Sequence, residues 1–337
     1  FDDAAALIDD KWGRAFEAAD AVRACVAEVI GAAPDEIALG QNTHELLTRF
    51  LSALDWKRRR HVVTTAGEFH SLYRQLSRLA EEGLEVTWVD PAPLDTLAER
   101  LAAAVREDTA AVMCSNVLFE TSSVVPHLDA AFEAARRVGA EALVDAYHSF
   151  MNLPFSVPED VWVTSGGYKY AQWGEATCFL RVPRATTLRP VYTGWFSDFA
   201  NLAAPRGGEV TYGARPADRF AGSTYDPVSH YRARAVIRFF EARGMTVEAL
   251  RASYQRQTAR LIDGLEGYDV RTPREGARRG GFVTVALDDA SGVVEALKAR
   301  GVHTDARGRM LRFGPAPYVT DAEIDRAIAA LREVAPR

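Results

Sequence analysis

The feature that most constrains the fold of this chain is a regular alternation of short apolar runs and amphipathic helical patterns across its middle. The apolar runs are bounded by turn residues and are typical of buried strands. They lie at 61–65, 84–89, 110–114, 142–145, 161–164 and 178–182, with helical patterns at 72–82, 94–107 and 128–138. Because strands that are joined through helices usually pair in parallel, this rhythm predicts an α/β fold with a mostly parallel sheet covered by helices.

Further patterns lie on both sides of this region. It is preceded by helical patterns at 12–30 and 43–54 and by a strand at 37–39. It is followed by a helical region at 228–267, by strands at 282–287 and 311–313, and by helices at 293–300 and 321–334. The pattern of predicted strands and helices changes after Tyr225-Asp226-Pro227. We therefore expect a large domain over 1–227, of which residues 1–30 can pack with the other domain, and a smaller α+β domain over 228–337.

The composition argues against several classes of function. The chain has 337 residues and a formal net charge of −6, so it offers no broad cationic surface for nucleic acid. No apolar stretch approaches the roughly 18 residues that span a bilayer, and the amino terminus lacks the basic start of a secretory signal. Its three cysteines share no short metal-ligand spacing, which predicts reduced thiols and no metal site. We expect a cytoplasmic protein that binds neither nucleic acid nor membrane.

Lysine is rare in this chain, which makes one lysine position unusual. Of the 40 basic residues 36 are arginine, and the lysines are Lys11, Lys57, Lys169 and Lys298. Three of them lie in charged helical patterns or in a basic run, where lysine is ordinary surface charge. Lys169 instead follows two glycines, lies between two tyrosines and comes just after the strand at 161–164. Its amine therefore needs a chemical explanation.

An acid at the end of a strand precedes this lysine. Asp145 ends the strand at 142–145, and Lys169 follows it 24 residues later, just past another strand. Pyridoxal phosphate needs a lysine for its Schiff base and an acid that keeps its pyridine nitrogen protonated, so that the ring can store electrons. Taken singly, Asp145 is also explained as a helix cap and Lys169 as a surface lysine. The pair, with the flanking glycines, favours the cofactor.

The segment after the strand at 37–39 has the features of a phosphate site. Residues 40–43 precede a helix, where free backbone N–H groups and the helix dipole favour an anion, and Thr43 could add a hydroxyl. An ordinary helix cap is the alternative. Weaker candidates, because buried aromatic and histidine side chains usually serve packing, are Phe69, Ser115, His148 and Trp195.

Two strings around these residues resemble a known family. Asp145-Ala146-Tyr147-His148 and Tyr168-Lys169-Tyr170 resemble the Asp-x-x-His and Tyr-Lys-Tyr motifs of kynureninase, a member of the aminotransferase class V group of fold-type I pyridoxal-phosphate enzymes. The similarity is one of motifs and runs in order through most of the chain. It implies the fold-type I architecture. It also implies that Asp145 meets the pyridine nitrogen, that His148 lies close by and that Tyr168 binds the cofactor phosphate.

The same resemblance implies further cofactor contacts. Asn42 and Thr43 match the family's phosphate-binding pair, Phe69 matches the aromatic residue that stacks on the ring, and Ser115 matches a serine that contacts the cofactor.

Two more segments imply a subunit partner and a substrate anchor. Gly194-Trp195-Phe196 resembles a Gly-Trp-Phe segment whose tryptophan reaches the cofactor phosphate, and Thr224 lies where a neighbouring subunit usually completes the site. The resemblance therefore implies a homodimer with shared active sites. Residues 311–317 resemble an Arg-x-x-Pro-x-Pro element, in which Arg312 would hold the α-carboxylate of an amino-acid substrate through a bidentate fork.

Other segments depart from the family. The acid that follows the ring-stacking aromatic residue is replaced by Ser71-Leu72, and the usual Tyr-Thr-Gly after the serine strand is Glu120-Thr121-Ser122. The chain also begins beyond the family's amino-terminal segment, which normally contributes to the substrate pocket. Substrate contacts can therefore differ from those of kynureninase.

The resemblance implies a hydrolase that cleaves the Cβ–Cγ bond of kynurenine or a modified kynurenine to alanine and an anthranilate-type acid. Lys169, freed from the cofactor, would remove the α-proton while Arg312 holds the carboxylate. Another class V enzyme, an aminotransferase or a β-lyase acting on a β-substituted amino acid in specialised metabolism, is the first alternative. A desulfurase is less favoured, because the cysteines lie in helical or strand-like runs.

A non-catalytic binding protein on the same fold is the second alternative. The presence of both Asp145 and Lys169 argues against it.

Overall fold

The computed structural model describes residues 1–205 and 207–336. Its main sheet contains, in chain order, β1 (Ile37–Gly40), β2 (His61–Thr65), β3 (Glu85–Val89), β4 (Thr109–Ser115), β5 (Glu141–Asp145), β6 (Val161–Gly166) and β7 (Cys178–Arg181). The seven strands lie in the order β1-β7-β6-β5-β4-β2-β3. β7 is antiparallel to both neighbours, and the other strands share one direction. The predicted mostly parallel sheet is confirmed.

Helices cover both faces of this sheet. They are α2 (Lys11–Ile30), α3 (Thr43–Ala53), α4 (His70–Glu81), α5 (Leu97–Ala103) and α6 (Asp129–Val138), whereas α1 (Asp2–Leu7) has no buried residue and contacts α2. Because successive strand residues point to opposite faces, Val62 packs in the core under α3 and α4, and Val63 packs in the core under α2, α5 and α6. α2 and α6 end at Gly31 and Gly139, whose φ angles of 69° and 67° favour glycine.

The carboxyl-terminal part contains a second sheet. Its elements are α7 (Val228–Ala242), α8 (Val247–Gly264), β8 (Asp269–Val270), β9 (Val283–Ala286), α9 (Ala290–Lys298), β10 (Asp305–Arg307), β11 (Met310–Phe313) and α10 (Asp321–Val334). The strands lie in the order β10-β11-β9-β8, and each pair of neighbours is antiparallel. α8, α9 and α10 form a separate hydrophobic core with this sheet.

α7 packs outside this smaller core. It lies against α2, and its Ala233, Ile237 and Phe240 are buried in the same core as Val63 of the large sheet. Residues 1–30 thus contact a helix that the sequence assigns to the small domain. The boundary at residue 227 stays a prediction.

The loop that follows β4 joins the two parts of the molecule. Its hydrogen bonds to the segment around β8 and β9 include Val124 N to Arg278 O at 2.9 Å, Gly280 N to Ser122 O at 2.6 Å and Thr272 Oγ1 to Thr121 O at 2.9 Å. Ser122 has a φ of 61°, at a position where the kynureninase motif has glycine. The small sheet is therefore fixed to the loop that leaves the carboxyl end of β4.

The structure differs from the sequence-based expectation in two places. The helical region predicted at 228–267 is two helices, because the chain turns between them at Gly244, whose φ is 62°. The short edge strands β8 and β10 were missed, since β10 reads Asp305-Ala306-Arg307 and has no apolar alternation. Within the described residues, no helix is long and apolar enough to cross a membrane.

Candidate active site

A cavity of about 440 Å³ opens at the carboxyl edge of the large sheet. β4, β5 and β6 are parallel neighbours, so their carboxyl ends meet there, and Ser115 pairs in register with Asp145. The cavity is lined by Asn42, Thr43, His44, Phe69, Ser71, Ser115, Val117, Phe119, Asp145, Tyr147, His148, Tyr168, Lys169, Asp305, Arg307 and Arg312. Its volume is within the roughly 300–1,000 Å³ of ordinary ligand pockets. Nine of the eleven residues predicted for the site thus lie around one space.

Lys169 is placed by the turn that follows β6. A Cβ atom on Gly167 would lie 2.4 Å from the Trp173 ring, so this turn requires glycine. The Lys169 amine lies 2.5 Å from His148 Nε2 and 5.1 Å from the centre of the Tyr147 ring. Burial, together with the nearby Arg312, lowers the pKa of Lys169 to about 7 against the opposing effect of Asp145. A large share of this amine is therefore neutral and nucleophilic near pH 7.

His148 is the immediate partner of the lysine. Burial, and then the positive charges of Lys169 and Arg312, lower the pKa of His148 well below its usual value. The neutral ring accepts the hydrogen bond from Lys169 at Nε2, which places the ring proton on Nδ1. Among residues 1–205 and 207–336, Nδ1 has no hydrogen-bond partner. Neutral His148 therefore acts as the acceptor that fixes the position of the Lys169 amine.

Asp145 is buried at the end of β5, with 5% of its surface exposed. Its carboxylate accepts a 2.9 Å hydrogen bond from the backbone N–H of Tyr147. Burial raises the pKa of Asp145, against the effects of that hydrogen bond and of Lys169. A buried carboxylate of this kind is stabilised in its charged form by a cationic group, such as a protonated pyridine nitrogen.

The start of α3 offers an anion site. The Asn42 side chain caps the helix by accepting from Glu45 N at 2.8 Å, so the cap interpretation describes its present contact. The Thr43 hydroxyl is buried without a nitrogen or oxygen partner in the described chain, and the weakly bonding Cys178 thiol is close to it. This free hydroxyl and the first N–H groups of α3 suit a phosphate.

Phe69, Ser115 and Tyr168 also face the cavity, in different ways. The Phe69 ring centre lies 5.6 Å from the Lys169 amine, so an aromatic face borders the reactive nitrogen. The Ser115 hydroxyl donates at 2.6 Å to Glu68, and its hydrogen is therefore already committed. Tyr168 is 56% exposed at the mouth.

Sequence reasoning missed Glu68, a buried acid directly before Phe69. Its carboxylate accepts hydrogen bonds from Thr65 Oγ1 at 2.6 Å, Ser115 Oγ at 2.6 Å and Ser115 N at 3.1 Å. Glu68 thereby ties the ends of β2 and β4 together beneath the cavity. Burial raises its pKa to about 7, against these hydrogen bonds, and Asp145 adds to the rise. In the sequence, a lone acid before an aromatic residue gives no signal of burial.

Arg312 lies on the opposite wall, on β11. Its Nε donates to Asp305 at 2.7 Å, its Nη2 donates to the other oxygen of Asp305, and its Nη1 donates to Phe119 O at 2.9 Å. Asp305 and Arg307 line the same wall and were not predicted as site residues.

Trp195 and Thr224 are not among the described residues that line this cavity. The Trp195 indole donates to the Thr224 hydroxyl at 3.1 Å, and the tryptophan side of this pair is 42% exposed. They are the two predicted cofactor contacts that a single chain does not bring to Lys169.

These observations together fit pyridoxal phosphate. The cavity offers a partly neutral amine at Lys169, a buried acid at Asp145, a free hydroxyl at a helix start at Thr43 and an aromatic face at Phe69. Each of these groups meets one chemical need of the cofactor: a Schiff base, a charged ring nitrogen, a phosphate and a flat ring.

Comparisons with known proteins agree with this chemistry. Residues 248–331 match the kynureninase C-terminal domain family. A kynureninase of Pseudomonas fluorescens is 27% identical over 99% of this chain and 85% of its own length. An uncharacterised aminotransferase of Bacillus subtilis strain 168 is 26% identical over 94% and 84% of the two chains. A cysteine desulfurase of Shewanella pealeana is 25% identical over 95% and 82%.

The chain is a class V aminotransferase-like enzyme that uses pyridoxal phosphate. A solved cystine C–S lyase, in complex with its product cysteine persulfide, superimposes on this class V enzyme with a TM-score of 0.82. The match has 20% sequence identity and covers 95% of this chain and 87% of the lyase chain. The expected fold-type I architecture is therefore confirmed.

Proposed function

We propose that this class V enzyme is a kynureninase-like hydrolase that cleaves the Cβ–Cγ bond of kynurenine or a modified kynurenine. The observation that carries the proposal is the match of residues 248–331 to the kynureninase C-terminal domain, because this segment contributes one whole wall of the cavity. That wall holds the charged residues that would contact substrate. The kynureninase relative, aligned over 99% of the chain, supports the same reaction.

Each part of the cofactor can be assigned to a residue that lines the cavity. Thr43 and the first turn of α3 would hold the phosphate, Asp145 the ring nitrogen, Phe69 the ring face, and Lys169 the covalent link. When bound, the cofactor supplies an electron sink for the α-carbon of an amino acid.

The proton chemistry belongs to the lysine and its partner. Because the pKa of Lys169 is about 7, its amine can accept the α-proton and return it under the same conditions. Neutral His148, hydrogen-bonded to that amine, holds it in place. Arg312, on the facing wall, would orient the substrate by its carboxylate. In the net reaction one water adds its hydroxyl to the γ-carbonyl carbon, the Cβ–Cγ bond breaks, and Cβ gains a proton to give alanine.

The test is a product assay on the cofactor-loaded protein with L-kynurenine and 3-hydroxykynurenine. We expect equal amounts of alanine and an anthranilate-type acid, and no product from the Lys169→Ala variant. Formation of a keto acid in place of alanine would contradict the hydrolase and identify an aminotransferase. Loaded protein that releases no product from either substrate would also contradict it.

A β-lyase or an aminotransferase is the second candidate function. The structural likeness to the cystine C–S lyase and the aminotransferase relative favour it. A cysteine desulfurase is less favoured, because burial raises the pKa of Cys25 to about 12 and of Cys178 to about 11. Across the described residues, the Lys169 cavity has no cysteine in its lining. Supplying cystine or cysteine and measuring pyruvate, sulfide and alanine separates these reactions.

We also propose that the enzyme is a homodimer with shared sites. The support is a set of exposed apolar side chains, namely Tyr168 at the cavity mouth together with Val191, Tyr192, Trp195, Phe199 and Leu202. Sedimentation should give twice the chain mass. Mixing Lys169→Ala and Thr224→Ala chains should restore activity that each lacks alone, and full activity of Thr224→Ala alone would contradict sharing.

A further inference from the structure

The hairpin of β10 and β11 places three charged side chains on one wall of the cavity. Asp305 and Arg307 are the ends of β10, and Arg312 lies on β11 opposite Asp305 in the antiparallel register. The wall therefore carries one carboxylate and two guanidinium groups.

Arg312 already uses much of its hydrogen-bonding capacity. The edge formed by Nε and Nη2 binds both oxygens of Asp305, and Nη1 binds Phe119 O. The side chain is 11% exposed, and its guanidinium lies 5.5 Å from the centre of the Phe282 ring. Because the edge formed by Nε and Nη2 is taken by Asp305, a substrate carboxylate can reach only the one remaining N–H on each of Nη1 and Nη2.

Arg307 is the more available of the two cations. Its side chain is 35% exposed, its Nη2 lies 3.2 Å from Asp305, and its Nη1 donates to the neighbouring Ala306 O at 2.8 Å. Asp305 thus serves two guanidinium groups with one negative charge. The pair of arginines keeps one positive charge in excess at the cavity wall.

The charge of Arg307 acts on the reactive end of the cavity. It contributes to lowering the pKa of both Lys169 and His148, after burial and the larger effect of Arg312. The other charged group that faces this space from the large sheet is Asp145. Arg307 therefore lines the same cavity as Lys169 and lies close enough for its charge to act on the amine.

We propose that Arg307 is a second carboxylate-binding residue, which receives the substrate's α-carboxylate together with Arg312 while Asp305 serves as their shared counter-ion. The inference rests on the proposed function, because it assumes an amino-acid substrate bound next to Lys169. It predicts that binding depends on a free α-carboxylate and that amides of the same amino acids gain nothing from Arg307. The loss of one hydrogen bond to a charged group weakens binding roughly 10- to 100-fold.

The test uses the cofactor-loaded protein and follows its visible absorption during titration with L-alanine and with L-alaninamide, which lacks the carboxylate. Arg307→Gln should weaken L-alanine binding by about 10-fold or more and leave L-alaninamide binding unchanged. Arg309→Gln is the matched control, because Arg309 lies in the same hairpin, is 67% exposed and pairs with Asp288 outside the cavity. It should change neither titration.

Three results would overturn the proposal: unchanged L-alanine binding in Arg307→Gln, an equal loss for both ligands, or a loaded wild-type protein that responds neither to L-alanine nor to L-kynurenine. The failure of the proposed function looks different. Loaded protein that binds L-alanine with the expected Arg307 dependence but releases no anthranilate-type acid contradicts the hydrolase and leaves the role of Arg307 standing.

Discussion

The two walls of the cavity carry charge in different ways. On the large-sheet wall, burial lowers the pKa of Lys169 and raises the pKa of Asp145, so it favours the uncharged form of each group. On the hairpin wall, burial alone would raise the pKa of Asp305, but Arg312 and Arg307 together lower it, so this carboxylate stays charged. The difference teaches that burial shifts a group toward its uncharged form, which brings proton exchange at Lys169 close to pH 7, whereas close pairing preserves fixed charges that orient a ligand.

Removing the amine of the first wall should have the largest effect. Lys169→Ala should abolish the visible absorption of the bound cofactor and lower turnover by about 1,000-fold or more, because the covalent link and the proton acceptor are both lost. Spectra and product assays on the purified variant measure this. Lys298→Ala, in which a lysine of α9 is changed, serves as the control and should behave as wild type. Full turnover by Lys169→Ala would contradict the assignment of Lys169 as the reactive amine of the large-sheet wall.

Changing the second wall should affect substrate and leave the cofactor in place. Arg312→Gln should raise KM roughly 10- to 100-fold with the cofactor absorption retained, because a charged hydrogen bond to the substrate carboxylate is lost. Steady-state kinetics beside an absorption spectrum separates the two effects. If Arg312→Gln loses the cofactor itself, the two walls are not independent.

Glu68 gives a stability test of burial on the first wall. Its folded-state pKa of about 7 lies above its ordinary value of 4.5, so the folded state holds this proton more tightly than the unfolded state. Its contribution to the free energy of unfolding is full below about pH 4.5 and is lost as the pH rises to about 7. The loss is on the order of 3 kcal/mol, from 2.5 pKa units. Glu68→Gln removes this titration.

Denaturant unfolding of wild type and Glu68→Gln between pH 4.5 and 8 measures the effect. We expect the variant to gain stability relative to wild type as the pH rises through this window. A difference that stays constant with pH would mean that Glu68 is already ionised throughout.

The smallest expected effect links the two walls. The rate at which the cofactor-free enzyme takes up pyridoxal phosphate should rise with pH and level off above about 7, since the neutral Lys169 amine is the nucleophile. Arg312 lowers this pKa, so Arg312→Gln should move the midpoint to higher pH by up to about 1 unit, whereas Asp145→Asn should move it lower. Stopped-flow absorption measures the pH midpoint of the uptake rate in each variant. The control variant Arg309→Gln should have the same midpoint as the wild type.

The sequence allowed the large-sheet wall to be predicted and left most of the hairpin wall hidden. Asp145 and Lys169 follow apolar strands of a parallel sheet, whose carboxyl ends must meet at one edge, so their proximity could be inferred. Asp305 and Arg307 lie on a short polar edge strand, which in sequence looks like any charged loop. Only the resemblance to kynureninase pointed to Arg312.

Two further features depend on long-range contacts that no local pattern encodes. Glu68 is buried because Thr65 and Ser115 satisfy its oxygens, and these come from different strands. The Ser115 hydroxyl, expected to contact the cofactor, serves Glu68 instead in this structure. Under the proposed homodimer, Trp195 and Thr224 would contribute to the site of the second subunit, which the sequence of one chain does not show.

The hydrogen bonds between the loop after β4 and the small sheet restrict how the enzyme can open. A rigid-body swing of the small domain about a hinge would have to break the bonds of Ser122 and Val124 to Gly280 and Arg278, as well as the bond from Arg312 to Phe119. Admission of substrate is therefore expected through local displacement of side chains at the mouth, such as Tyr168 and Arg307, on a faster timescale than domain closure.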